Sequence, residues 1–407
     1  MSENKPNKPE KKTIALTIDM GGSQNKVIVQ DYPNGSPKAI ILDSEVADID
    51  YASVKNQYKE GNLEARVWVG FGDECYALGT LARDHFKGLT QLNELKYELA
   101  IPKICGLIWL VKEKLSLESN FSVYLNVLLP PGEVQDKDQL QARLKEVFKG
   151  FDTPTGKMKI KLLDFDAVVE GSGLYFHFKH SCGGVVPNSL FVMLGYRNAS
   201  VFMVRNGVPS RGVTSDLGMS WLVKNFVGKV SGLSLDDFGV VETMVAAGKS
   251  CDPQVLQKLS RKRKKSEITA DGELMSSALT LARNEYWRAI ARWLRSSGQS
   301  DVEELVFCGG TADYIKPEID GYCEKEDIDV SWHGDVNVPS NISMGLGSRM
   351  ADVYSLHQYL IAEFDKLIEF ANRKDNIFSV EMKPKTSTIP KLSSSSREGF
   401  INVNHNA

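Results

Sequence analysis

Residues 13–30 read Thr-Ile-Ala-Leu-Thr-Ile-Asp-Met-Gly-Gly-Ser-Gln-Asn-Lys-Val-Ile-Val-Gln, and no other stretch constrains the fold as tightly. An apolar alternating run (Ile14, Leu16, Ile18) ends at Asp19. The chain then turns through Gly21, Gly22 and Ser23 and resumes as Lys26-Val27-Ile28-Val29. That pattern predicts two strands joined by a tight glycine turn. Two glycines let backbone N–H groups approach a ligand closely, since no Cβ intervenes, and consecutive N–H groups form an anion-binding concavity. Asp19 and Lys26 would flank it with a metal-directed carboxylate and a phosphate-directed ammonium. Taken alone, the segment reads equally as an ordinary hairpin with a polar tip.

The pattern has a partial echo. Residues 189–194, Ser-Leu-Phe-Val-Met-Leu, form an apolar run that enters Gly195-Tyr196-Arg197-Asn198, and a second apolar run, 199–204, leads to an Asn206-Gly207 hairpin turn. A third element, Glu304-Leu305-Val306-Phe307-Cys308, is a buried-type strand ending in Gly309-Gly310-Thr311 before a short helix. Bare backbone at a strand-to-helix junction accommodates a nucleotide's phosphate or adenosine. Periodicity places strands at 14–19, 26–31, 38–43, 66–70, 121–128, 158–162, 189–194, 200–204 and 304–308. It places helices at 92–114, 138–148, 217–227, 236–247, 272–297, 312–318 and 346–373. This alternation predicts α/β domains.

Length and charge narrow the function classes. The chain has 407 residues, enough for two or three domains, and a net charge of -3 that draws it to neither nucleic acid nor anionic membrane. Its six cysteines lack C-x-x-C spacing and read as reduced thiols. The longest apolar stretch, 101–111, is interrupted by Pro102, Lys103 and Gly106, and no signal-peptide pattern opens the chain, so a cytoplasmic protein without a membrane association is expected. Residues 1–12 and 378–407 read as disordered tails. The stripe Leu274, Ala278, Leu281, Ala282, Tyr286, Ile290, Trp293 and Leu294 reads as a core face, and the run of five cations at 261–265 as a solvated loop or helix end. His177 and His180 fall in an aromatic, strand-like segment and read as structural rather than metal-binding.

The order and spacing of the three glycine turns resemble the actin, Hsp70 and sugar-kinase superfamily over about residues 13–375, and within it the ParM type of prokaryotic actin-like protein. Asp19-Met20-Gly21-Gly22-Ser23-Gln24-Asn25-Lys26 is similar to the first phosphate loop. Leu128-Leu129-Pro130-Pro131 resembles a domain I strand end, and Asp166-Ala167-Val168-Val169-Glu170 the strand presenting a water-positioning Glu. Gly309-Gly310-Thr311 resembles the adenosine motif, and 338–347 the closing motif before the last helix.

The resemblance implies two related actin-like domains, ribonuclease H-like mixed sheets flanked by helices, with an interdomain nucleotide cleft. Domain I would span 13–188, with a small subdomain at about 43–90, and domain II 189–335, with an insertion at about 212–270. Residues 336–377 would return to domain I. ATP or GTP with Mg²⁺ is implied as the ligand. The backbone of Gly21, Gly22, Ser23, Gln24 and Asn25 would cradle phosphates, Lys26 would counter their charge, Asp19 would hold the metal through water, and Glu170 would polarise the attacking water. Gly195, Tyr196, Arg197 and Asn198 would form the second phosphate hairpin.

That second hairpin departs from the family. Met193 stands where relatives carry Asp, Arg197 replaces the expected Thr, and Ser200 the later Asp. Either the metal is held differently or hydrolysis is slow, and Met193→Asp should raise the ATPase rate. Arg197 either adds a cation beside the phosphates or pairs with an acidic surface neighbour. The function implied is a filament-forming protein acting in plasmid segregation through a DNA-binding adaptor, with a cell-shape or cortical scaffold filament as the alternative. A small-molecule kinase fits less well, because no catalytic Asp is evident in the cleft.

Overall fold

The computed structural model describes residues 12–54, 61–90, 99–210, 212–235 and 239–378, with side chains to 366. The expectations for residues 1–11, 92–98, 236–238 and 379–407 lie outside the described residues. Among the described residues there are fifteen strands in two sheets, against the nine that periodicity places. The first holds β1 (Thr13–Met20), β2 (Gln24–Asp31), β3 (Lys38–Asp43), β4 (Val46–Asp48), β5 (Trp68–Phe71), β6 (Glu74–Leu78), β7 (Asn120–Leu129), β8 (Phe151–Thr153) and β9 (Gly156–Val169). Their spatial order is β3-β2-β1-β7-β9-β8-β5-β6-β4. The second holds β10 (Ser189–Leu194), β11 (Ala199–Arg205), β12 (Val208–Pro209), β13 (Val213–Ser215), β14 (Glu304–Cys308) and β15 (Asp329–Trp332), in the order β12-β11-β10-β14-β15 with β13 also on β11.

The two sheets share one internal plan. β1 is antiparallel to β2 and parallel to β7; β10 is antiparallel to β11 and parallel to β14. Each of these strands lies inside its sheet and is covered on both faces, which explains apolar runs more continuous than simple alternation. The chain is thus an α/β protein with two sheets of related topology flanked by helices.

The helices are α1 (Thr80–Phe86), α2 (Ala100–Lys114), α3 (Lys137–Val147), α4 (Ser172–Ser181), α5 (Met219–Val227), α6 (Val240–Ala247), α7 (Pro253–Leu256), α8 (Lys265–Ser296), α9 (Gly310–Tyr314), α10 (Lys316–Glu326), α11 (Ser340–Ser343) and α12 (Ala351–Phe378). α2 is buried along almost its whole length and shares one core with β1, β2, β7 and β9. α8 shares the second core with β10, β11 and β14. None of the described helices is long and apolar enough to cross a membrane.

Three local expectations are corrected. The aromatic segment around His177 and His180 is helix α4, not a strand. Leu174, Tyr175 and Phe178 lie on one helical face and pack against Phe191 and Phe202 of the second sheet. On α8, Leu274 and Leu281 are 68% and 56% exposed and do not belong to the core stripe. That stripe is Met275, Ala278, Leu279, Ala282, Tyr286, Ile290 and Leu294, so the buried face sits one residue round from the expected one. The segment 312–318 divides into α9 and α10, with Pro317 in the first turn of α10, where its missing N–H costs nothing.

α12 closes the architecture. Its residues Val353, Leu356 and Leu360 pack with Ile28, Leu128 and Val168 of the first sheet, while Phe176 of α4 stacks on Tyr359 at 3.8 Å between ring centroids. His357 is buried beneath β1, with Nδ1 3.0 Å from Thr17 Oγ1. Burial holds its imidazole neutral, from an ordinary value of 6.5 down to about 3. A depressed folded value stabilises the protein above 6.5 and loses that contribution as pH falls toward 3. At about 1.4 kcal/mol per pH unit, this single group accounts for several kcal/mol of acid sensitivity. Denaturant titrations across that pH range should show His357→Leu losing markedly less stability on acidification than the unsubstituted chain. Equal acid sensitivity of the two proteins would refute this role.

Candidate functional site

The carboxyl ends of β1, β9, β10 and β14 open onto one cleft of about 960 Å³ between the two sheets. In the first hairpin, Gly21 is obligatory, since a Cβ there would lie 2.5 Å from the carbonyl oxygen of Gln24. The turn is anchored from below: Ser44 Oγ donates to the carbonyl of Gly22 at 2.7 Å, and Asn25 Nδ2 donates to the carbonyl of Asp43 at 3.1 Å. Behind the turn, Lys26 Nζ donates to Asp19 Oδ2 at 2.6 Å, both side chains being largely buried.

In the second hairpin the Gly195 N–H donates to the carbonyl of Asn198 at 2.9 Å, closing the turn. The N–H groups of Met219 and Ser220, at the start of α5, donate to the carbonyls of Gly195 and Tyr196. The helix terminus thereby fixes the turn against α5. Thr311 Oγ1 donates to the carbonyl of Gly195 at 2.8 Å, tying the third glycine turn to the second. Gly309 has φ of 101°, and a Cβ there would come 2.2 Å from the Leu194 carbonyl oxygen.

The cleft brings together Asp19, Gly21, Gly22, Ser23, Gln24, Lys26, Glu170, Gly195, Tyr196, Arg197, Asn198, Gly309, Gly310 and Thr311. Asn25 is not among its lining residues: its side chain is buried and turned toward β3, where it supports the turn. Arg197 pairs with Glu133 at 3.5 Å. The partner is acidic, as one of the two readings required, but it is buried rather than on the surface. Glu133 follows β7 of the first sheet, so this ion pair crosses the cleft.

Sequence reasoning missed several polar residues of the site. Arg349, in the short turn before α12, donates through Nη2 to Ser23 Oγ at 2.9 Å and Gln24 Oε1 at 3.2 Å. Burial lowers its affinity for its proton, while Asp19 and Asp313 oppose that effect. Asp352, fully buried in the first turn of α12, accepts from the N–H groups of Gly171 at 2.6 Å, Gly173 at 2.9 Å and Leu174 at 3.3 Å. It therefore satisfies the N-terminal donors of α4 from a distant helix. Burial, with the charges of Asp19 and Glu170, pushes its carboxyl up to about 7, and the backbone donors pull the other way. Asp313 accepts from Ser348 at 2.9 Å and lies 2.8 Å from His333 Nε2. At the mouth, Arg83 pairs with Asp43 at 2.8 Å and Glu45 at 3.5 Å. No motif spacing marks these residues.

The donor set does not suit a directly held divalent metal. Among the described residues, no group of three or more His, Cys, Asp or Glu side chains is placed to hold one. Asp19, the expected metal carboxylate, is already in contact with the ammonium of Lys26.

No family model matches this sequence, and no curated protein matches it. Solved structures do match the fold. ParM of Bacillus thuringiensis with AMPPNP superposes with a TM-score of 0.54 at 14% identity, covering 86% of this chain and 99% of that one. The Alp12 filament structure gives a TM-score of 0.52 at 13% identity over 86% and 99% of the respective chains. An archaeal actin homolog gives 0.54 at 15% identity over 85% and 98%.

The two glycines of the third turn differ in what they tolerate. Gly309→Ala should destabilise the protein by about 1–3 kcal/mol or more, from positive φ and the carbonyl clash together. At Gly310 a Cβ meets only the flexible stem of Arg349 at 3.1 Å, so Gly310→Ala should cost much less. Chemical denaturation of both variants checks the ranking, and equal losses would contradict it.

Proposed function

We propose that this chain, whose fold is the actin-like fold of ParM-type proteins, binds ATP or GTP in the cleft and assembles into filaments. The observation that carries the reading is convergence. Two equivalent hairpins and the Gly309-Gly310-Thr311 turn, far apart in sequence, border one cleft at the carboxyl ends of the central strands. Ligands of open α/β sheets occupy such crevices. The volume suits a nucleotide-sized molecule.

In this reading the backbone of the Gly21–Gly22 turn and of Tyr196–Asn198, where the Gly195 N–H is already spent closing the turn, receives phosphate oxygens. Gly309 and Gly310 admit the nucleoside against bare backbone. Glu170, next to the end of β9, orients the attacking water. The B. thuringiensis ParM structures with ATP, AMPPNP and ADP support nucleotide binding by analogy, and the Alp12 filament structure supports assembly into filaments. A heterologous contact that does not close continues into a polymer. Segregation of plasmid DNA through a DNA-binding adaptor is the cellular role we assign; a cell-shape filament uses the same chemistry.

Light scattering and negative-stain microscopy with ATP, ADP and a non-hydrolysable analogue test the reading. Filaments should form with ATP and with the analogue. Glu170→Ala should slow phosphate release by at least about tenfold while assembly persists. A protein that stays monomeric with every nucleotide would overturn the filament assignment.

A further inference from the structure

The two hairpins correspond position by position, and the difference between them is chemical. Asp19 and Met193 each lie two residues before the first glycine of their turn. Their cross-strand partners are Lys26 and Ser200. In the first hairpin that pair is the 2.6 Å Asp19–Lys26 contact. In the second it is a thioether opposite a hydroxyl, and the Ser200 hydroxyl is shared with Thr214 Oγ1 at 3.1 Å.

A hard dication held between the turns needs oxygen ligands. The second hairpin offers a soft thioether instead. On the first, a dication would be repelled by the Lys26 ammonium that already contacts Asp19. Of the other carboxylates of the cleft, which include Glu170 and Glu242, Asp352 takes three backbone N–H groups, Asp313 has His333 and Ser348, and Asp43 and Glu45 share Arg83.

A permanent cation stands where the metal's charge would be wanted. Arg349 reaches the tip of the first glycine turn, and its stem lies against Gly310, so it sits between the first and third turns. Its hydrogen-bond acceptors there, Ser23 Oγ and Gln24 Oε1, are neutral; Asp19 and Asp313 act on its charge through space. A guanidinium presents a fork of donors that matches phosphate oxygens, and exchanging neutral acceptors for phosphate strengthens each hydrogen bond.

We propose that the cleft binds its nucleotide as the metal-free polyphosphate, with Arg349, beside Lys26, supplying the charge neutralisation that a divalent cation would otherwise provide. This rests on the nucleotide reading above and adds that the occupant needs no metal. Arg349 is then a ligand-binding residue and the reason a metal is dispensable, while Met193 leaves the second hairpin without the carboxylate that Asp19 gives the first.

The test is equilibrium titration of the full chain with a fluorescent ATP analogue, in Mg²⁺ and in excess EDTA. The dissociation constants should agree within about threefold, and Arg349→Ala should weaken binding in EDTA at least about tenfold. Arg349→Lys should recover part of the loss, which separates charge from packing. Met193→Asp, which leaves Arg349 in place, should bind more tightly in Mg²⁺ than in EDTA. A loss of about tenfold or more for the unsubstituted chain in EDTA would overturn the proposal and leave nucleotide binding intact. Undiminished binding by Arg349→Ala would also overturn it. Absence of binding in both buffers would overturn the nucleotide reading itself, together with the proposal.

Discussion

Everything in this molecule is arranged around two strands whose hydrogen-bonding edges are both occupied. β1 lies between β2 and β7, and β10 between β11 and β14. A strand paired antiparallel with its successor can be joined to it by a sharp turn at its carboxyl end, while a parallel partner needs a long crossover before it enters the sheet in the same direction. The sharp turns are the glycine hairpins, and the late returns are β7 and β14. Both turns therefore emerge beside the ends of parallel strands, where backbone donors have no sheet partner. The cleft follows from that geometry before any side chain is considered.

The two halves share a topology but not a charge pattern. The first hairpin buries an ion pair and is braced by Ser44 and Asn25. The second carries Met193, is braced by the start of α5, and projects Arg197 to Glu133 across the cleft. Buried ion pairs are costly to assemble and costlier to break singly. The Arg197–Glu133 pair thus ties the second hairpin to the loop after β7 in one relative position. Asp352 does the equivalent at the other end, binding α12, which packs on the first sheet, to α4, which packs on the second.

Much of the architecture was legible in the chain itself. Strands ending in glycine pairs, their order, and the long helices all follow from local periodicity and turn chemistry. Where local reading failed, a distant contact had intervened. At the aromatic stretch 174–178, helix α4 has its first N–H groups satisfied by Asp352, almost two hundred residues on, and its apolar face packed on the second sheet. Leu274 and Leu281 were assigned to the core because an amphipathic stripe shows apolar spacing but not which edge of the stripe meets the sheet.

The backbone of the site follows from local sequence: glycines at 21, 195 and 309 each end an apolar strand, and a Cβ would lie 2.5 Å and 2.2 Å from backbone carbonyl oxygens at Gly21 and Gly309 and 3.3 Å from one at Gly195. Its electrostatics follow from packing instead. Lys26 faces Asp19 through hairpin register, a local property, but Arg349 and Asp352 reach the cleft, and Glu133 reaches Arg197, only because the turn after α11, α12 and the end of β7 are brought there by packing. Charge placement depends on which remote segments the closed fold brings together, and no local pattern encodes that.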